Sequence, residues 1–170
     1  MSIPAVKRYI NPSSGLIRVL VLSNDAENLP ARHRSWQSFK MQFDSKNTYE
    51  YEFCGYKILV DLRYAFKHFH QNTYNEQRNH LNGTLFDILH KPLLVIKKYD
   101  TKLKKNTLQF YKVYKNKDAL QHMMMFQVVE DSQDVYRYKT LFDIGSSLHK
   151  VSDMIKALDL NTVYFKYDSK

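Results

Sequence analysis

Cysteine is nearly absent from this chain: Cys54 stands alone among 170 residues. An internal disulfide is therefore impossible, and a reducing compartment is expected. Glycine and proline are scarce too, at four each. So few glycines argue against a backbone cradle for nucleotide phosphates, and the phosphate-loop, dinucleotide and kinase patterns are all missing. There is no Cys-x-x-Cys, no His-Glu-x-x-His and no dense carboxylate cluster, and His68-x-His70 without cysteines or nearby acids makes a poor zinc pattern. No metal and no cofactor is expected. No apolar run approaches the roughly 18 residues of a membrane-crossing helix. The opening "MSIPAVKRYINPSSGLIRVL" lacks the long apolar core and small-residue cleavage site of a secretory signal. These absences lead to the expectation of a soluble, cytoplasmic protein, and a chain of this length needs no staple to fold.

Negative charge is the other shortage. Twenty-six Lys and Arg face seventeen Asp and Glu, for a net charge of +9. The imbalance is local: residues 91–117 hold nine lysines against the single acid Asp100. A patch so focused favours a polyanionic partner, nucleic acid first and a membrane surface second. The plainer alternative is a solvated hairpin whose lysines keep an edge strand soluble. Membrane-surface binding is disfavoured because no basic amphipathic helix accompanies the lysines.

The residue pattern divides the chain. "IRVLVL" (17–22) reads as a strand, and a short helix is expected after Pro30. "TYEYEFCGYKILVDL" alternates about Cys54-Gly55 as a β-hairpin does. Apolar residues at 62, 65, 66 and 69 have helical spacing, with a second helical piece through Leu81 that Asn82-Gly83 would stop. Thr84 with Asp87 three residues on is a capping-box pattern for the short helix "LFDILHK", which Pro92 ends. Beyond Pro92, "LLVIKKY", "TLQFYKVYK", "HMMMFQVVE" and "DVYRYKTLFDI" read as strands joined by connections too short for crossover helices, hence antiparallel. "GSSLHKVSDMIKALDL" reads as an amphipathic helix and "TVYFKY" as a last strand. The expected fold is α+β: N-terminal helices, then a mainly antiparallel sheet of about four to five strands, with a C-terminal helix.

Three of these stretches, "RNHLNGTLFDILHKPLLVIK", "LQFYKVYKN" and "YRYKTLFDI", taken in that order and spacing, resemble the phage-associated branch of the barnase, EndoU, colicin and RelE-like (BECR) nucleases, the toxin-type domains of MuF head proteins. The resemblance starts near "EFCGYKILVD" and divides the chain into an N-terminal segment, residues 1–48, of uncertain role and a nuclease-like domain, residues 49–170. It implies a metal-independent endoribonuclease, a toxin or phage effector, in which the RNA 2′-OH attacks the neighbouring phosphate. It further implies a cognate inhibitor or immunity protein as a second partner, and delivery into a target cell as one route of action.

Such chemistry needs a proton acceptor, a proton donor and cations over the phosphorane. His80, at the expected helix end, matches the family's helix-borne polar position; the duller role is an interaction with the helix dipole. His68 or His70 could serve in its place. Lys112 shares a strand face with Phe110 and Tyr114 and is the candidate for stabilising developing charge. Arg137 could hold a phosphate in two-pronged fashion and Thr140 could donate to one. Strict alternation places Arg137 and Lys139 on one face and Thr140 on the other, unless a bulge intervenes. Lys97, Lys98, Lys102, Lys104, Lys105, Tyr111, Lys115 and Lys139 are the candidate nucleic-acid contacts. The Met123-Met124-Met125 run reads as core strand. The clear His/Glu/Arg constellation of the better-known nucleases is missing, so a binding protein without turnover, such as a phage or mobile-element accessory factor, is the alternative from a different class. RNA target and oligomeric state are not encoded in any pattern found.

Overall fold

The computed structural model describes residues 27–31, 33–53, 55–70, 83–92, 94–115, 121–145 and 163–164. Its helices are α1 (Trp36–Met41), α2 (Leu62–His70) and α3 (Leu85–His90). The long strands are β2 (Thr48–Phe53), β3 (Tyr56–Asp61), β4 (Leu94–Asp100), β5 (Lys105–Lys115), β6 (Gln121–Ser132) and β7 (Val135–Gly145). Two two-residue strands, β1 (Glu27–Asn28) and β8 (Val163–Tyr164), join the same sheet. The strand 17–22, the helical piece through Leu81 and the C-terminal helix lie outside the described residues, as do His80 and Asn82.

The fold is α+β, with few helices and one large mixed sheet. Strand order is β2-β3-β7-β6-β5-β4-β8, with β1 paired separately to β5. The run β4-β5-β6-β7 is an antiparallel meander, as the short connections require. The expectation of four to five strands following the helices is corrected in one respect. The hairpin β2–β3 is not a separate early element, because β3 pairs in parallel with β7 through Lys57, Ile58 and Leu59. That makes six long strands. Gly55, at φ +89, supplies the left-handed residue that the two-residue turn between β2 and β3 demands.

The sheet curls strongly. Phe53 on β2 and Phe110 on β5 bring their rings within 5.1 Å although three strands lie between them. The concave face holds the core: Ile58, Val60, Val95, Leu108, Phe110, Phe126, Val128, Tyr136 and Leu141 point inward from five strands. Helix α1 contributes Phe39, α2 contributes Leu62, Ala65 and Phe66, and α3 contributes Leu85, Ile88 and Leu89, with Phe43 just beyond α1. Each large side chain removed from water in this way contributes roughly 1.5–3 kcal/mol. Phe39 and Phe43 belong to this core, and β1 pairs with Tyr114 and Lys115, so residues 27–48 pack as part of the same unit as the sheet.

Local caps explain where the helices begin. Ser35 accepts from the Ser38 amide at 3.1 Å to start α1, and Asp61 accepts from the Tyr64 amide at 3.0 Å to start α2. The capping box expected at Thr84 is not made: its side chain forms no capping hydrogen bond, and the Asp87 carboxylate points to β5 instead. A buried cation attracts that carboxylate more strongly than a helix amide does.

Gly83 serves close approach. A Cβ there would lie 2.5 Å from the Ala31 carbonyl oxygen and 3.1 Å from that of Pro30. Backbone cannot yield as a flexible side chain does, so Gly83→Ala is expected to destabilise by about 1–3 kcal/mol. Chemical denaturation checks this as a lower midpoint at unchanged slope; an unaltered midpoint would show that the 30–31 segment moves freely.

Candidate nucleic-acid interface

The lysine-rich segment folds into the β4–β5 hairpin, whose outer end continues past the last β5–β6 backbone pair, with the Asn106 side chain still reaching Glu130 on β6 at 3.4 Å. Pairing between β5 and β6 stops at Thr107↔Val129, whereas β4 and β5 continue to pair through Tyr99↔Asn106 and Asp100↔Lys105. On its other side, among the described residues, β4 meets β8 at Val95 and Ile96. Among the described residues, the tip is therefore a two-stranded arm that pairs with itself. Lys98, Tyr99, Lys102, Leu103, Lys104 and Lys105 are all exposed on it.

The one acid of the segment does not neutralise the arm. Asp100 Oδ1 accepts from the Lys102 amide at 2.8 Å and from the Leu103 amide at 2.9 Å, closing the turn. Lys104, at φ 55, takes the left-handed position that ends it. Thr107 donates to the Lys98 carbonyl at 2.8 Å across the hairpin. No ion pair among the described residues involves Lys98, Lys102, Lys104 or Lys105. Lys97, half-buried at the root of the arm, donates to Tyr56 Oη at 3.3 Å and sits 5.3 Å from that ring's centre.

Among the described residues, Lys112 is not brought together with Arg137 and Thr140. Lys112 does share a face with Phe110 and Tyr114, but that face packs into the main core, and Lys112 is 8 % exposed. Its Nζ lies 2.8 Å from Asp87 Oδ2 and 3.3 Å from Glu27 Oε2. Tyr114 donates to the same Asp87 oxygen at 2.5 Å. Burial, and after it the Asp87 and Glu27 carboxylates, push the Tyr114 phenol far above its ordinary range, so it remains a donor. The charge of Lys112 is already met by these two carboxylates. Tyr111 is enclosed as well. It is 1 % exposed on the opposite face and donates to Gln109 at 2.8 Å, so its ring is not open to a base.

The bulge that the strand β7 required is present. Gln127 pairs with Thr140 and Val128 with Tyr138, leaving Lys139 as the extra residue. Arg137 and Thr140 thereby share the face opposite to Tyr136, Tyr138 and Leu141, and so the face opposite to Lys112. Arg137 is exposed, and its Nε donates to Asp131 at 2.8 Å. Lys139 is exposed and Lys115 half-buried next to β1. Helix α2 runs through His68 and ends at His70.

Two other groupings carry no clear signal in the sequence. His90, ending α3, shares a 2.9 Å hydrogen bond with Tyr49 and packs its ring 4.0 Å from Phe86 and 4.4 Å from Tyr51. This aromatic enclosure ties α3 to β2. A groove of about 350 Å³ beside the β2–β3 turn is lined by Glu50, Tyr51, Glu52, Gly55 and Lys57. Its two carboxylates make it a poor place for a polyanion. Among the described residues no three His, Cys, Asp or Glu side chains converge to hold a metal ion, and no helix is long and apolar enough to cross a membrane. Comparison with protein-family models, with curated proteins and with solved structures finds no match to this chain.

Proposed function

We propose that this protein binds RNA, and that it does so through the β4–β5 arm. The observation that carries the reading is the concentration of four exposed lysines on a self-paired arm whose only acid is turned into its own backbone. Phosphate contacts by lysine supply sequence-independent affinity, and the exposed lysines of the arm are open to a phosphate backbone. The resemblance to the BECR nucleases supports RNA over DNA as the polyanion.

The endoribonuclease activity that the same resemblance implies has weaker support. Lys112 is held between two carboxylates and offers no unengaged cation to a phosphorane, and Arg137 lies on the opposite face of the sheet from it. Binding without turnover is accordingly the favoured function.

The test uses the full chain, a fluorescent single-stranded RNA and a salt series. The expected result is an association constant falling linearly on logarithmic axes, with a slope of about −3 for four lysine–phosphate contacts at about −0.7 each. In parallel, total RNA incubated with the protein in EDTA should be recovered intact. Absence of binding at about 50 mM salt would reject the reading. Cleavage in EDTA would replace it with the ribonuclease.

A further inference from the structure

We infer that Tyr99 is a base-stacking platform, so that the arm selects single-stranded over duplex nucleic acid; the inference rests on the RNA-binding reading above. Tyr99 is 54 % exposed and Leu103 40 % exposed, within a stretch otherwise made of lysine and turn residues. An exposed tyrosine is common enough by itself. What distinguishes this one is its position: it lies on the arm beyond the last β5–β6 pair, opposite Asn106. No ring contact among the described residues involves it, although aromatic contacts fill the core behind it.

The neighbouring rings are already engaged. Tyr56 carries Lys97 at 5.3 Å and meets Tyr136 edge-on at 5.4 Å. Asn106, across from Tyr99, donates to Glu130 at 3.4 Å. On the arm, Tyr99 alone presents an open ring, with Lys98 next to it in sequence and Lys102, Lys104 and Lys105 around the turn. An open ring on an arm that also carries exposed ammonium groups is the composition that single strands require: cations follow the backbone while an unpaired base lies on the aromatic face. In a duplex the base faces are covered by their neighbours, and the ring gains nothing unless a base is first extruded.

The experiment compares wild type, Tyr99→Ala and Tyr99→Trp on three polyanions: a short single-stranded RNA, the same sequence as a duplex, and heparin, which has no bases. Tyr99→Ala should weaken single-strand binding about ten-fold or more while duplex and heparin binding stay within about two-fold, at an unchanged salt slope. Tyr99→Trp should bind the single strand at least as well as wild type. The melting temperature of each variant, unchanged, confirms an intact fold. An equal loss on all three polyanions would overturn the inference, since Tyr99 would then shape the arm and stack on nothing. So would Tyr99→Ala binding the single strand as wild type does. Wild type that ignores both nucleic acids but binds phosphatidylserine vesicles would overturn the RNA-binding reading itself, and this inference with it.

Discussion

Lys112→Ala should lower stability by about 3 kcal/mol, the lower end of what removing one partner from a buried ion pair costs. The reason is what stays behind. Asp87, with a side chain 21 % exposed, would keep the Tyr114 hydroxyl but lose the cation 2.8 Å away. Glu27 is more than half exposed and is resolvated at little cost, which is why the lower end applies. For a domain of this length, a change of about 3 kcal/mol corresponds to a fall in melting temperature of roughly 6–12 °C. Replacing both buried partners, Lys112→Met with Asp87→Leu, should lose less than the two single changes added together, because an apolar pair of similar volume leaves no uncompensated charge. Thermal melts followed by circular dichroism decide the matter. A Lys112→Ala protein melting within about 1 °C of wild type would mean that the pair is looser than its distances indicate. At a temperature where it is folded, the variant should bind RNA normally, since Lys112 is turned away from solvent.

The second large effect is on binding and leaves stability alone. Changing Lys102, Lys104 and Lys105 together to glutamine should weaken RNA binding roughly 100-fold at about 0.1 M salt. Three contacts at about −0.7 each remove about two from the slope of log affinity against log salt. All three residues are exposed, and the Asp100 turn contacts run to backbone amides that the substitution preserves. Unfolding free energy should therefore change by less than about 0.5 kcal/mol. Filter binding across a salt series reads both affinity and slope. A triple variant with the wild-type slope would move the binding face elsewhere on the molecule.

Much of the fold is legible in the sequence because its signals are local. Alternation in "TLQFYKVYK" and "DVYRYKTLFDI", the turn at Gly55 and the helical spacing of Leu62, Ala65 and Phe66 each depend on residues close in sequence. The parallel pairing of β3 with β7 is not legible, since no short stretch records which distant strand lies alongside. Lys112 shows a different limit. Alternation correctly groups it with Phe110 and Tyr114, but both faces of β5 carry aromatic residues, and only tertiary packing shows that both are enclosed at Tyr111 and Lys112. The bulge at Lys139 has a readable trace: the inward residues Tyr136, Tyr138 and Leu141 break an even spacing between the last two. Asp87 suits two roles, a cap or a counter-ion, and the spacing to Thr84 favours the one that the structure does not use. Tyr99 is in plain view in "KKYDTKLKK", but the charge of its lysine neighbours dominates that stretch and masks the ring.

Among the described residues the arm's tip has no backbone partner outside the hairpin, and this bears on how the surface changes over generations. A residue in the meander answers to neighbours on both sides, so most substitutions there meet selection for folding before any selection for binding. At the tip, pairing is internal from Tyr99↔Asn106 outward, and a matched pair of residues could be added or removed without moving the register of any other strand. Charge and aromatic content there are thus open to drift, and related chains are expected to keep the buried Lys112–Asp87–Tyr114 cluster while diverging in the length, charge and reach of the arm.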